Sequence, residues 1–137
     1  MRRVDLQKLA QAKFDDASLL LESGRHSNAY YLAGYAVELA LKACIARQIR
    51  AEEIPTRQLI DKVFTHKFAN LIGLAGLAVE LQKAQDHDHQ FQAYWGVASE
   101  WSPETRYDIQ DSMSAQLLLQ AIGDHNHGVL KWIRTYW

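Results

Sequence analysis

Four residues between Tyr31 and Lys42 stand at intervals of four, three and four: Tyr31, Tyr35, Glu38 and Lys42. On a helix these positions share one face, yet the surrounding stretch from Ala29 to Arg50 is apolar around almost its whole circumference. Such a stripe has two readings. As the wall of a pocket or cleft, the tyrosine rings stack on a base and Lys42 meets a phosphate. As a docking network, Glu38 pairs with Lys42 at i,i+4 and also holds Arg106 or the Tyr107 hydroxyl, fixing how the helices pack. Tyr31, Tyr35, Glu38, Lys42, Arg106 and Tyr107 are therefore the ligand-binding candidates.

Arg25, Ser27 and Asn28, with His26 among them, gather where the central helix begins, and unpaired N–H groups there favour an anion such as phosphate. Ser27 and Asn28 are equally ordinary capping residues. His66 after Thr65 reads as a helix-start residue, a packing or capping partner. Asp86-His87-Asp88-His89 and Asp124-His125-Asn126-His127 offer metal-ligand chemistry. Residues two apart on a helix diverge by about 200°, so neither run chelates from one face; a site shared between the two segments is the alternative to solvated polar faces, and no metal site is expected. No Gly-rich phosphate loop, nucleophile elbow or zinc-knuckle pattern occurs, and no cofactor is expected.

The elements that must position these groups are helical. Leu6, Leu9, Ala10, Phe14, Ala17, Leu20 and Leu21 draw one apolar stripe, and Gly24 ends that helix. The helix behind Ser27 and Asn28 must be central, with small residues that let neighbours approach closely. Pro55 breaks the chain, and short helices are expected over Thr56–Val63, Thr65–Leu74 and Leu77–Ala84. A further helix from about His87 to Glu100 has Asp86 as its cap, and Ser102 caps Pro103 in a first turn. Asp111 or Ser112 opens a long helix through about Ile133, with Met113, Leu117, Ala121, Leu130 and Ile133 facing inward. No strand pattern and no repeat appear, which predicts an all-α, antiparallel up-and-down bundle of five or six helices forming a single domain over residues 1–137.

The stretch from Ala17 to Ala43, containing Gly24-Arg25-His26-Ser27-Asn28 and Gly34-Tyr35-Ala36-Val37-Glu38-Leu39-Ala40-Leu41-Lys42, resembles the first two helices of the HEPN family (higher eukaryotes and prokaryotes nucleotide-binding). Thr65-His66 and Trp101-Ser102-Pro103-Glu104-Thr105-Arg106-Tyr107 look like later landmarks of bacterial members, extending the resemblance from about Ala10 to Trp132. It implies a bundle built on long helical hairpins, a homodimer with a cleft between protomers, and for many members a small nucleotidyltransferase partner in a toxin–antitoxin pair. Toxin members are metal-independent endoribonucleases that carry Arg, four to six residues, then His at the start of the last long helix. Here no Arg is followed at that spacing by His: the window after Arg106 holds Asp111, Ser112 and Met113. The fold and a nucleotide- or RNA-binding role are carried over, and the nuclease residues are not.

Composition sets the remaining bounds. Of 137 residues, 48% are hydrophobic and 23% charged, with Gly 7 and Pro 2, which excludes disordered, collagen-like and turn-rich all-β chains. Basic and acidic residues number 15 and 16, so no global positive field announces a nucleic acid. The lone Cys44 forms no internal bridge, and with no signal-like start or long uncharged apolar run the expected setting is cytoplasmic, without membrane. Trp132, Tyr136 and Trp137 close the chain, where exposure would suit a subunit interface. The leading expectation is a non-catalytic HEPN-type domain that binds a nucleotide, RNA or a nucleotidyltransferase. The alternatives are a diverged endoribonuclease using Arg106 with His66 or another distant His, and a purely structural interaction protein.

Overall fold

Why the second helix lies at the centre follows from its composition. In the computed structural model, which describes all 137 residues, α2 (His26–Gln48) buries every residue from Ala36 to Ile45. Its small residues Ala33, Gly34, Ala36, Ala40 and Ala43 admit neighbours on all sides. α1 (Arg3–Glu22) folds back along it through a turn in which Gly24 takes φ +75°. The Arg25 N–H donates to the Leu20 carbonyl at 2.8 Å and Gly24 N–H to Leu21, satisfying the last carbonyls of α1.

Short helices then wrap the hairpin. α3 (Arg57–Lys62) is capped by the Thr56 hydroxyl, which accepts from the Leu59 N–H at 3.2 Å. α4 (Phe68–Leu74), α5 (Ala78–His87) and α6 (His89–Ser99) follow, then a 3₁₀ turn (Pro103–Tyr107), α7 (Ser112–Gly123) and α8 (Val129–Arg134). Besides α1, the central α2 meets α4, α7, α8 and the 3₁₀ turn, and one hydrophobic cluster runs from Leu6 to Ile133. The all-helical class is as expected, but there are eight α-helices rather than five or six.

One helix boundary moves and one expected helix is split in two. The chain extends at Asp88 (φ −139°), whose carboxylate accepts from the N–H groups of Gln90 and Phe91, so Asp88 rather than Asp86 caps α6. The expected long last helix stops at Gly123, because Asp124 turns its carboxylate onto the N–H groups of Asn126 and His127. Gly128 closes that turn with its N–H on the Asp124 carbonyl, where a β-carbon would collide with backbone. Met113 and Leu117, expected inward, are exposed, because α7 packs through the face of Ala115, Leu118, Leu119 and Ile122. Ala121, Leu130 and Ile133 are buried as expected.

The start of α2 also differs from expectation. Helix begins at His26 with no side-chain cap, so neither Ser27 nor Asn28 serves as one. Ser27 lies inside the first turn, where its hydroxyl accepts the Gln110 N–H at 2.9 Å and ties α2 to the segment before α7. Ser102 makes no side-chain cap either; the Thr105 hydroxyl instead donates to the Ser102 carbonyl at 2.7 Å. By length and composition α2 alone is long and apolar enough to cross a membrane, but 72% of its most apolar window is buried inside the bundle.

Candidate functional site

The stripe on α2 divides into a closed half and an open half. Glu38 is 1% exposed and Lys42 9%, and the Lys42 ammonium donates to Glu38 Oε1 at 2.8 Å, one helical turn away. The second partner of Glu38 is neither Arg106 nor Tyr107. It is His66, in the loop before α4, whose Nδ1 stands 2.9 Å from Oε1 and 3.0 Å from Oε2. A carboxylate can only accept, so this contact places the hydrogen on Nδ1 and leaves Nε2 free for something outside the protein. Burying a carboxylate is costly unless charge and hydrogen bonds both compensate. Two donors from two elements do so here.

Tyr31 and Tyr35 are half-buried, with ring centroids 6.1 Å apart. Burial, and then the nearby Glu38 and Tyr31, push the Tyr35 hydroxyl above its usual pKa, and the Lys13 ammonium lies 5.9 Å from its ring centre. Tyr31 also meets Trp101 at 6.1 Å. Trp101 lies against Gly34, where any β-carbon would strike its indole ring, and its other neighbour is Phe68, stacked at 5.4 Å and 14°. The glycine at position 34 is therefore what admits the indole to the centre of the fold.

Beside these groups opens a cavity of about 770 Å³. Phe68, Ile72, Leu81, Trp95 and Trp101 give it apolar walls; His66 and Lys67 border it from the loop before α4, and Glu100, Ser102 and Glu104 from the turn after α6. His66 is 53% exposed, so the free side of its ring is accessible. None of the six ligand-binding candidates lines this cavity. Two of them touch residues that do: Glu38 holds His66, and Tyr31 packs on Trp101. Arg106 and Tyr107 are exposed and lie on each other, the guanidinium 4.8 Å from the ring centre.

The other candidates separate. Arg25, Ser27 and Asn28 share a small surface hollow with Gly24, His26 and Gln110, but Ser27 is engaged by Gln110. The two Asp–His runs do meet: His127 Nδ1 lies 2.6 Å from Asp88 Oδ2. This hydrogen bond, then the N–H of Phe91, holds the Asp88 carboxyl below its usual range. No group of three or more potential ligands is arranged to hold a metal. Trp132, Tyr136 and Trp137 are half-buried rather than exposed, with Trp132 between Phe91 and Tyr136 at 5.4 Å from each. Cys44 is buried against the Ile133 carbonyl, and burial pushes its thiol up to about 11, as an inert core residue requires.

A family model described as the HEPN domain matches residues 4–115. The chain belongs to the HEPN domain family. The matched span runs from the first turn of α1 through α6 and the 3₁₀ turn to the start of α7, so this HEPN domain's Glu38–Lys42–His66 network and its cavity both lie within it. Membership associates the chain with nucleotide- or RNA-related function in general terms. No curated protein and no solved structure matches this HEPN chain.

Spacing along the chain pairs Glu38 with Lys42 but is blind to His66, which is 28 residues from Glu38. Lys67, Glu100 and Glu104 were missed for the same reason: each is an ordinary surface charge until the fold gathers them around one opening.

Proposed function

We propose that this HEPN domain is a nucleotide- or RNA-binding module whose recognition site is the cavity bordered by His66. The observation that carries the reading is the imidazole pinned on both carboxylate oxygens of the buried Glu38 at 2.9 and 3.0 Å, with Nε2 uncommitted at an apolar-walled opening. A volume of about 770 Å³ lies within the usual range of small-molecule sites, and a few oriented polar groups around apolar walls are the usual means of recognition. In this reading Tyr31, Tyr35, Glu38 and Lys42 support the site from behind. Arg106 and Tyr107 stand outside it, and Arg25, Ser27 and Asn28 are a separate anion candidate.

Titration of the intrinsic tryptophan fluorescence with nucleoside monophosphates and a short single-stranded RNA tests the proposal, because Trp95 and Trp101 line the cavity. Saturable quenching that weakens at least fivefold in His66→Ala supports it. Absence of quenching and of any thermal shift at millimolar nucleotide would leave a structural interaction protein.

A second reading is favoured by the same hydrogen bond. An imidazole held through Nδ1 by a carboxylate is oriented for general acid–base chemistry at Nε2, as a diverged metal-independent endoribonuclease requires. Cleavage of labelled RNA in EDTA that is lost in both His66→Ala and Arg106→Ala supports this reading; no turnover by the folded protein removes it.

HEPN domains commonly dimerise, and a homodimer of this chain is supported by Tyr107, Ile109, Met113 and Leu117, exposed along one continuous segment. Leu117→Glu with Met113→Glu is expected to give a monomer in sedimentation velocity. A small nucleotidyltransferase partner and a toxin–antitoxin role rest on the family resemblance alone, and co-purification with the product of the neighbouring reading frame tests them. A cytoplasmic setting fits the single buried thiol of Cys44.

A further inference from the structure

The stretch between α2 and α4 is held at its two ends and almost nowhere between. At one end the Gln48 side-chain amide donates to the Ala75 carbonyl; at the other His66 is fixed on Glu38. No residue between Ile45 and Phe68 is buried, and α3, in the middle, buries none of its six. From Arg50 to Pro55 the one backbone hydrogen bond joins the Glu53 N–H to the Arg50 carbonyl at 3.4 Å. Glu52 stands at φ +68°, the only residue other than glycine on the left-handed side, so rotation there toward the ordinary β region releases strain. Segments with so few buried contacts are the first to move.

This arm carries apolar side chains that its position leaves in water: Ile54 is 93% exposed and Phe64 66%. Phe64 borders a second hollow, of about 740 Å³, between α3 and α4. Thr65 and Ala69 border both this hollow and the cavity at His66, so the two adjoin across one loop. Phe64 is two residues from His66, a span of at most about 7 Å along the chain, and the cavity beyond has apolar walls from Phe68, Ile72, Leu81 and Trp95. We propose that the segment from Glu52 to Thr65 is a strap that closes over the cavity, turning at those two residues and carrying the Phe64 ring from the outer hollow onto the apolar mouth. Closure takes Phe64 out of water, which favours it. It also covers the Nε2 side of His66, which stays on Glu38 throughout, and so shuts water out of the cavity. The motion requires no particular ligand and is independent of the nucleotide reading.

A disulfide trap tests the strap with no ligand present. Phe64→Cys combined with Glu104→Cys places one thiol at a position that borders only the hollow and the other at a position that borders only the cavity. Both positions are exposed, and circular dichroism checks that the double variant keeps its fold. A bridge requires the two α-carbons to come within about 7 Å. Cys44, buried with its thiol pushed up to about 11, does not compete. Mild oxidation in dilute solution is expected to give the internal bridge in most molecules, read by peptide mapping. The bridged form should react at His66 with diethylpyrocarbonate, which attacks the free Nε2, roughly tenfold more slowly, about the loss that sequestering the ring in nine molecules of ten produces. Exposed His87 and His125 should react as before, and reduction should restore the His66 rate. Failure to form the internal bridge, or a bridge that leaves His66 as reactive as before, overturns the strap.

Discussion

The molecule contains two histidine–carboxylate pairs in opposite circumstances. Glu38 and His66 join the central helix to a loop, with the carboxylate sealed in the core and a lysine sharing its Oε1. Asp88 and His127 join two turns near the surface, 2.6 Å apart, and the same carboxylate caps α6. The second pair is explained by local structure, since Asp88 is needed as a cap wherever α6 begins and His127 is a neighbour it acquires. Nothing about α2 requires a carboxylate at position 38. An apolar side chain would serve the core as well or better, so the buried Glu38 makes sense as a mount for His66.

The largest effect is expected at the buried pair. Lys42→Met removes one compensating charge from Glu38 and is expected to cost about 3 kcal/mol in urea denaturation. A cost below about 1 kcal/mol would mean that water reaches the carboxylate, and the contrast between the pairs would disappear.

Gly34→Ala comes next. The added methyl has no room against Trp101, and overpacking of this kind costs about 1–3 kcal/mol. A shifted tryptophan emission should accompany the loss, because the indole is forced off the central helix. Unchanged emission and stability would show that the indole does not depend on the bare backbone there.

At the surface pair the effects are smaller and unequal. Asp88→Ala should cost about 1 kcal/mol as a lost cap, and His127→Ala no more than about 0.5 kcal/mol, the usual range of an exposed partner. Equal losses from the two substitutions would show that the pair, and not the cap, is what matters.

The smallest effect concerns acid. The folded carboxyls of Asp88, through His127, and of Asp111, through the N–H of Ser114, are held below their usual range. Each therefore contributes stability that is complete above the ordinary carboxyl pKa of about 4, and that falls away as pH drops from there through the depressed folded value. Asp88→Asn should flatten part of that acid limb in a pH series of melting temperatures. An identical limb in the variant would assign the loss to other groups.

Much of this was legible along the chain. The apolar periodicity of α1, the stop at Gly24, the all-round apolar α2 and the Thr56 start of α3 are all present in the sequence, and so is the i,i+4 pairing of Glu38 with Lys42. The break after Gly123 was not, because Leu130 and Ile133 continue an inward pattern across it and only the Asp124 and Gly128 turn interrupts the helix. Ser27 has the right type and place for a cap, but Gln110, 83 residues away, engages it instead.

The sequence by itself determined which segments are helices, which of them is innermost and that charge would be buried upon it, since these depend on side chains three and four residues apart. Tertiary structure decided what that charge holds, which residues surround the opening and which tryptophan rests on Gly34. Such neighbours are brought together by loops and by the order of packing, and no short-range pattern in the chain carries that information.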